Sequence, residues 1–348
     1  MSRASTRKPQ LNEIGLTKED YKGAPSTLCK GCGHQSIANQ VISVMYEMSI
    51  KPEKIVKFSG IGCSSKSPAY FLERSFAFNG LHGRMPAIAT GAVFADRSLE
   101  ALGFSGDGDT ASIGMGQFKH VMRRNVPMVY IVENNGVYGL TKGQFSATAD
   151  QGLELKKQGL NPYMPVDIIR EALGSNATFI ARAFSGDVTQ LREILKAALS
   201  HDGIAVIDII SPCVSFNNED DAHHSYSWGR EHEVAIHDLS YVPTRDEIEI
   251  DYEDEDVKKV NMHDGSHIIL SKITKAHDIS DRIAAVNLLD EANQKGFLLT
   301  GLFYINTEAP NLIEIKNIPE EPLNRLQNHR LRPSREALQE VNEGLYGP

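Results

Sequence analysis

Four short apolar runs, each ending in glycine, aspartate, asparagine or cysteine, constrain this chain more than any other feature. KIVKFSGIGC, LEALGFSGDGD, VPMVYIVENNGVYG and IAVIDIISPC read as buried strands. Around them QSIANQVISVMYEM, GMGQFKHVMRRN and DVTQLREILKAALS have the apolar spacing of helices. That alternation predicts an α/β fold, a mostly parallel sheet with helices on both faces. Ligands bind such sheets at the carboxyl ends of the strands, and the unusual residues of this chain collect there.

The chain divides into a polar arm (1–25), a main domain (26–231) and a C-terminal extension (232–348). In the extension the acidic run DEIEIDYEDEDVKK reads as a solvated face. The helix SDRIAAVNLLDEANQKG, the segment LLTGLFYIN and a Pro-rich polar tail follow it. This tail holds too few apolar residues to fold well alone and is expected to pack on the main domain or on a neighbouring subunit. Among the 348 residues, 41% hydrophobic and 23% charged, no apolar run approaches the ~18–20 residues of a membrane span. A net charge of -9 argues against nucleic acid as a partner. MSRASTRKPQLNEIG lacks the apolar region of a secretory signal, so the expected compartment is the reducing cytoplasm, where structural disulfides are improbable.

The strongest chemical signal is GDGD at 106–109 followed by NNGVYGLTKGQ at 134–144. Gly106 and Gly108 allow backbone N–H groups close to a phosphate, and the following helix points its positive end at the same place. Asp107 offers a carboxylate oxygen and Asn135 an amide oxygen, both suited to Mg²⁺. Other readings fit less well. An EF-hand loop starting at Asp107 would have Ala111 and Phe118 at its fifth and twelfth positions. No dinucleotide-binding G-x-G-x-x-G follows the first strand, and no P-loop occurs.

The chain has four cysteines. Cys29 and Cys32 form one Cys-x-x-Cys in TLCKGCGHQ, while Cys63 and Cys213 stand at predicted strand ends on the side of the Mg²⁺ motif. Convergent thiolates suit zinc or an iron–sulfur cluster. A lone knuckle with two distant cysteines disfavours zinc, and a redox dithiol would leave the second pair unused. Four unrelated buried thiols are the bland alternative.

Gly-Asp-Gly followed about thirty residues later by Asn-Asn resembles the thiamine-diphosphate-binding motif. That resemblance implies that Asp107, Asn135 and the carbonyl of Val137 hold the metal, with Leu140 supporting the bent cofactor beside Gly139. Together, CKGCGH, GIGCSSK, LHGR, GDGD, ENNGVYGLTKGQ and SPC resemble the β subunit of 2-oxoacid:ferredoxin oxidoreductases over about two thirds of the chain. The resemblance implies a 4Fe–4S cluster on Cys29, Cys32, Cys63 and Cys213. It implies thiamine contacts at Ile61, Gly62, Cys63, Ser64, His82, Gly106, Gly108, Asp109, Gly139, Leu140 and Thr141. The implied reaction is CoA-dependent, reversible oxidative decarboxylation of a 2-oxoacid, with electrons leaving through the cluster to ferredoxin. An α subunit is the implied partner, contributing the glutamate that activates thiamine and most of the substrate and coenzyme A pocket.

Lys66 and Lys142 follow cofactor motifs by a few residues, although lysines usually lie on surfaces. As a pair of cations they suit a dicarboxylate, and the pattern looks most like the 2-oxoglutarate-using branch, with a pyruvate-specific homologue as the alternative. His82 is a candidate cofactor contact, Arg84 a weaker one, and His34 a loop cap. His223, His224, His232 and His237 show no zinc spacing and are expected at the surface or an interface. A different class of function, a non-catalytic iron–sulfur or zinc scaffold on the same fold, would not require Asp107, Asn135, Leu140 and Lys142 to be intact.

Overall fold

Residues 9–244, 257–271 and 277–346 are described in a computed structural model. Most of the acidic run in the extension lies outside them. In chain order the main elements are helix α1 (Gly33–Glu47), strands β1 (Ile55–Ser59) and β2 (Phe76–Asn79), helix α2 (Met85–Ala95), strand β3 (Glu100–Gly106), helix α3 (Met115–Arg123), strands β4 (Met128–Asn134) and β5 (Phe179–Phe184), helix α4 (Val188–Leu199) and strand β6 (Ile204–Ile210). The extension adds strand β7 (Glu233–Ala235), helix α5 (Arg282–Lys295), strand β8 (Leu298–Ile305) and helix α6 (Arg335–Tyr346).

All eight strands join one sheet in the order β7-β8-β5-β6-β4-β3-β1-β2. Every neighbouring pair is parallel except β8 with β5. Both faces are covered, which is why the central strands read as continuous apolar runs. Leu102, Phe104, Val129, Ile131, Ala205 and Ile207 face one core with α1 and α4. Met128, Tyr130, Val132, Ile204 and Val206 face the other with α2, α3 and α5. Helices α4 and α5 begin where Asp187 and Asp281 accept hydrogen bonds from the first-turn amides.

The extension is not a separate body. Strand β8 is buried along its whole length and pairs antiparallel with β5. Further along, every described residue from Gln327 to Tyr346 is exposed, and α6 carries Leu338, Val341 and Leu345 on one uncovered face. No helix among the described residues is long and apolar enough to cross a membrane.

The connections decide where a ligand can enter. From β1 the chain steps outward to β2, then returns to β3 on the other side of β1. That reversal opens a crevice at the carboxyl ends of β1 and β3, the place where parallel sheets bind ligands.

Candidate active site

The crevice between β1, β3 and β4 is lined by Ile61, Gly62, Cys63 and Ser64 after β1, by Gly106 to Asp109 after β3, and by Glu133, Asn135 and Val137 to Gly139 at the end of β4. Gly62 has φ +91°, a conformation that turns the chain from β1 into the short helix carrying Cys63 at its cap. Gly108 answers a different need from the one its sequence suggests. A Cβ there would stand 2.4 Å from the Tyr138 ring, and the Tyr138 hydroxyl donates to the Gly108 carbonyl at 2.9 Å. After Asp107 the backbone makes a wide π turn, Gly108–Ile113, before α3 begins.

Asp107 and Asn135 meet in this crevice. The Asp107 Oδ2 accepts from the Thr148 hydroxyl at 2.6 Å and from that of Ser146. The Asn135 Oδ1 accepts from the Val137 N–H at 3.0 Å, while its Nδ2 lies 3.3 Å from His34 Nε2. His34 does more than cap the loop: it is fully buried, its Nδ1 is 2.7 Å from the Ser211 hydroxyl, and burial holds its pKa down to about 4, so the ring is neutral. Among the described residues no three His, Cys, Asp or Glu side chains surround a single ion. One carboxylate, one amide and one carbonyl instead suit Mg²⁺, which takes its remaining oxygens from a phosphate ligand and water.

Asp109 also borders the crevice, but its oxygens are engaged. Oδ1 accepts from the Gly83 N–H and Oδ2 from the Ser105 hydroxyl, both at 2.7 Å. Its carboxylate therefore braces the loop carrying His82, whose exposed ring is close enough for its charge to act on Asp109.

The cysteines gather on the other side of Gly139. A Cβ on Gly139 would stand 3.4 Å from Cys213 Sγ and 3.6 Å from Cys63 Sγ. The Cys29–Cys32 loop reaches the same place because the Gly33 N–H donates to the Pro212 carbonyl at 3.1 Å. Only glycine permits that approach, since a Cβ at Gly33 would lie 2.6 Å from the Ser211 backbone. Cys29 is exposed and the other three are half-buried. Burial, with the neighbouring thiols adding to it, pushes Cys32 up to about 12 and Cys63 up to about 11. Such thiols stay protonated unless a cation holds them as thiolates, and in a cubane each would bind a different iron.

Other expected site residues stand around the rim. Lys66 lies half-buried on the turn after Cys63 and lowers that thiol's pKa against its burial. Lys142 is exposed at φ +75° on the hairpin between Val137–Tyr138 and Gln144–Phe145, beside Leu140 and Thr141, which are also exposed. Arg84 caps α2 and is exposed. The histidine expectation is corrected for two residues: His224 and His237 are buried, while His223 is exposed and His232 half-buried. His224 donates toward Asn134 Oδ1 at 3.1 Å, and His237 Nε2 accepts from the Leu302 N–H at 3.0 Å, so both are held by partners remote in sequence. Reading the sequence missed Tyr138, Ser146, Thr148 and the roles of His34 and His224. Tyr138, Ser146 and Thr148 follow the Asn-Asn motif closely, whereas His34 and His224 lie 101 and 90 positions from the asparagines they meet.

Residues 60–209 match the family "Thiamine pyrophosphate enzyme, C-terminal TPP binding domain". A 2-oxoglutarate synthase subunit KorB of Methanocaldococcus jannaschii is 36% identical over 55% of this chain and 71% of its own length. A solved structure, 2-oxoglutarate:ferredoxin oxidoreductase from Magnetococcus marinus with 2-oxoglutarate, coenzyme A and succinyl-CoA bound, matches 97% of this chain and 98% of that chain at 31% identity and a TM-score of 0.72. The chain belongs to the β-subunit family of the 2-oxoacid:ferredoxin oxidoreductases. Two further relatives are each 42% identical over 55% of this chain: the 2-oxoglutarate oxidoreductase subunit KorB of Mycobacterium tuberculosis and the 2-oxoacid:ferredoxin oxidoreductase subunit beta of Saccharolobus solfataricus. The matched stretch spans 51% and 63% of their lengths. In this β subunit the thiamine pyrophosphate segment takes in Cys63, Asp107 and Asn135, whereas Cys29, Cys32 and Cys213 lie outside it.

Proposed function

We propose that this chain is the cofactor-bearing β subunit of an enzyme that oxidatively decarboxylates 2-oxoglutarate with coenzyme A to succinyl-CoA and CO₂, passing two electrons to ferredoxin. One observation carries the reading. Gly139 both lines the crevice of Asp107 and Asn135 and touches the space of the Cys63 and Cys213 sulfurs. A diphosphate–metal site and an electron exit therefore share one wall.

Thiamine diphosphate, when bound, supplies the carbanion chemistry. Asp107, Asn135 and the Val137 carbonyl would hold Mg²⁺, and the four cysteines would hold a 4Fe–4S cluster. Ile61 to Ser64 and Gly106 to Gly108 shape the diphosphate end, and Leu140 with Thr141 borders the cofactor. Lys66 and Lys142 stand on the two loops flanking the crevice and are assigned to the carboxylates of the oxoacid. Exposed His82 is left to meet the cofactor where a partner chain closes over it. The α subunit completes the active site, and the uncovered face of α6 is assigned to packing between subunits. The enzyme is expected in the reducing cytoplasm.

The test is anaerobic co-expression with the α chain, followed by iron and sulfide analysis and an assay of oxoacid-dependent reduction of a viologen dye. Four irons per β chain and CoA-dependent dye reduction preferring 2-oxoglutarate are expected. A Cys213→Ser chain should lose or degrade the cluster. Preference for pyruvate would overturn the substrate assignment. A fully loaded complex that reduces no dye with any 2-oxoacid would return the scaffold reading.

A further inference from the structure

We infer that Thr148, seconded by Ser146, is a positioning residue that decides which oxygen of Asp107 is presented to the crevice. The inference rests on the reading of Asp107 as a metal ligand. It follows from counting protons in a buried network.

Asp208 pairs with the Arg182 guanidinium at 2.9 Å and accepts as a carboxylate, so the 3.0 Å contact from Asn134 Nδ2 to Asp208 Oδ1 fixes the Asn134 amide. Its Oδ1 then faces two groups, His224 Nε2 at 3.1 Å and Thr148 Oγ1 at 2.9 Å. His224 is buried, and its other nitrogen lies 3.5 Å from Asp150 Oδ2. Because Asn134 Oδ1 can only accept, the contact with His224 places a proton on Nε2. The single proton of Thr148 goes to Asp107 Oδ2 at 2.6 Å, the shortest of its three contacts with possible acceptors, the others being Asn134 Oδ1 at 2.9 Å and Ser146 Oγ at 3.1 Å. Ser146 sends its own proton to the same oxygen, and its Oγ accepts from the Thr148 N–H at 3.3 Å.

Among the described residues, both hydroxyl donors to the Asp107 side chain take Oδ2. Charge-assisted donors of this kind hold a carboxylate firmly. Oδ1 is left as the oxygen a cation would meet, which makes Asp107 a one-oxygen ligand. Removing a group that orients a metal ligand typically weakens metal affinity 10–100-fold.

The experiment uses the full chain co-purified with its α partner and stripped of cofactor. Thiamine diphosphate is titrated calorimetrically in Mg²⁺, and Mn²⁺ binding is followed by EPR. Thr148→Val, close to isosteric, should weaken both about 10–100-fold in a chain that circular dichroism shows to be folded, and Thr148→Ser, which restores the hydroxyl, should bind within about 3-fold of the natural chain. Binding by Thr148→Val equal to the natural chain, while Asp107→Ala has lost it, overturns the positioning role alone. So does a Thr148→Ser chain as weak as Thr148→Val. Undiminished binding by Asp107→Ala overturns the ligand reading and this inference with it. If Thr148→Val does not fold, Ser146→Ala carries the test, since it removes the second donor to Oδ2: weakened binding supports the role and unchanged binding overturns it.

Discussion

The ammonium of Lys57, in the middle of β1, donates to the Pro68 carbonyl at 2.7 Å. It also donates to the carbonyls of Phe71 at 2.6 Å and Leu72 at 2.9 Å, and lies 5.2 Å from the centre of the Phe71 ring. Three donors meet three carbonyls, so a buried lysine is satisfied without a carboxylate. The segment it ties down is the continuation of the turn that carries Cys63, Ser64 and Lys66.

Replacing Lys57 with Met should therefore strip three buried carbonyls of their donor. A loss of about 2–4 kcal/mol in unfolding free energy is expected, together with a fall in bound iron because the Cys63 turn loosens. Urea unfolding and iron analysis check the two effects. Unchanged stability would mean that water replaces the ammonium without cost.

Gly33 offers a sharper separation of fold from site. A methyl group there meets the backbone of Ser211 and Pro212 at 2.6–2.8 Å, so Gly33→Ala must push the Cys29–Cys32 loop away from Cys213. The expected result is a folded chain, with normal circular dichroism, that retains markedly less iron than the natural chain. Full iron content would show that the loop reaches Cys213 by another route.

Two buried histidines outside the site predict acid sensitivity. Burial lowers His201 to about 3, with His263 adding to the effect, and lowers His237 to about 4. An unfolded histidine titrates near 6.5, so between that pH and about 4 the unfolded chain binds more protons than the folded one. Stability should thus be complete above pH ~6.5 and fall below it, with each group adding up to ~1.4 kcal/mol per pH unit. Melting temperatures from pH 7.5 to 4 should show a flatter acid limb for His201→Asn and His237→Asn, even though both variants start less stable. Identical slopes in all three proteins would refute the assignment.

Glu133 bears on whether the chain can work alone. It is fully buried, both its oxygens lie within 2.9 Å of the Ser67 hydroxyl, and burial, despite that hydrogen bond, raises its pKa well above the ordinary range. A buried carboxyl turned toward Ser67 is poorly placed to activate the far end of thiamine. Residues 1–348, reconstituted with cluster, Mg²⁺ and thiamine diphosphate but without an α chain, should show no oxoacid-dependent viologen reduction. Robust turnover would restore Glu133 as the activating base.

The strands, the parallel sheet and the end of it that binds were legible in the sequence, because a strand covered on both faces writes itself as an apolar run and its ligand-facing end as glycine, aspartate and asparagine. Cys63, Cys213 and the Asp107–Asn135 pair were legible for the same local reason, whereas Cys29 and Cys32 precede α1 and reach Cys213 only through the Gly33–Pro212 contact. What the sequence did not disclose was every polar contact made across the topology. His34 reaches Asn135 over 101 positions and Thr148 reaches Asp107 over 41. His224 and His237 read as surface residues because a histidine's burial depends on partners that no periodicity predicts. Lys57, inside an otherwise apolar strand, gave no sign of its three carbonyls, and β8 gave none of its antiparallel place beside β5. Local spacing sets which residues face inward, but the partners that make buried polar groups tolerable arrive only when the crossovers bring distant loops to one end of the sheet.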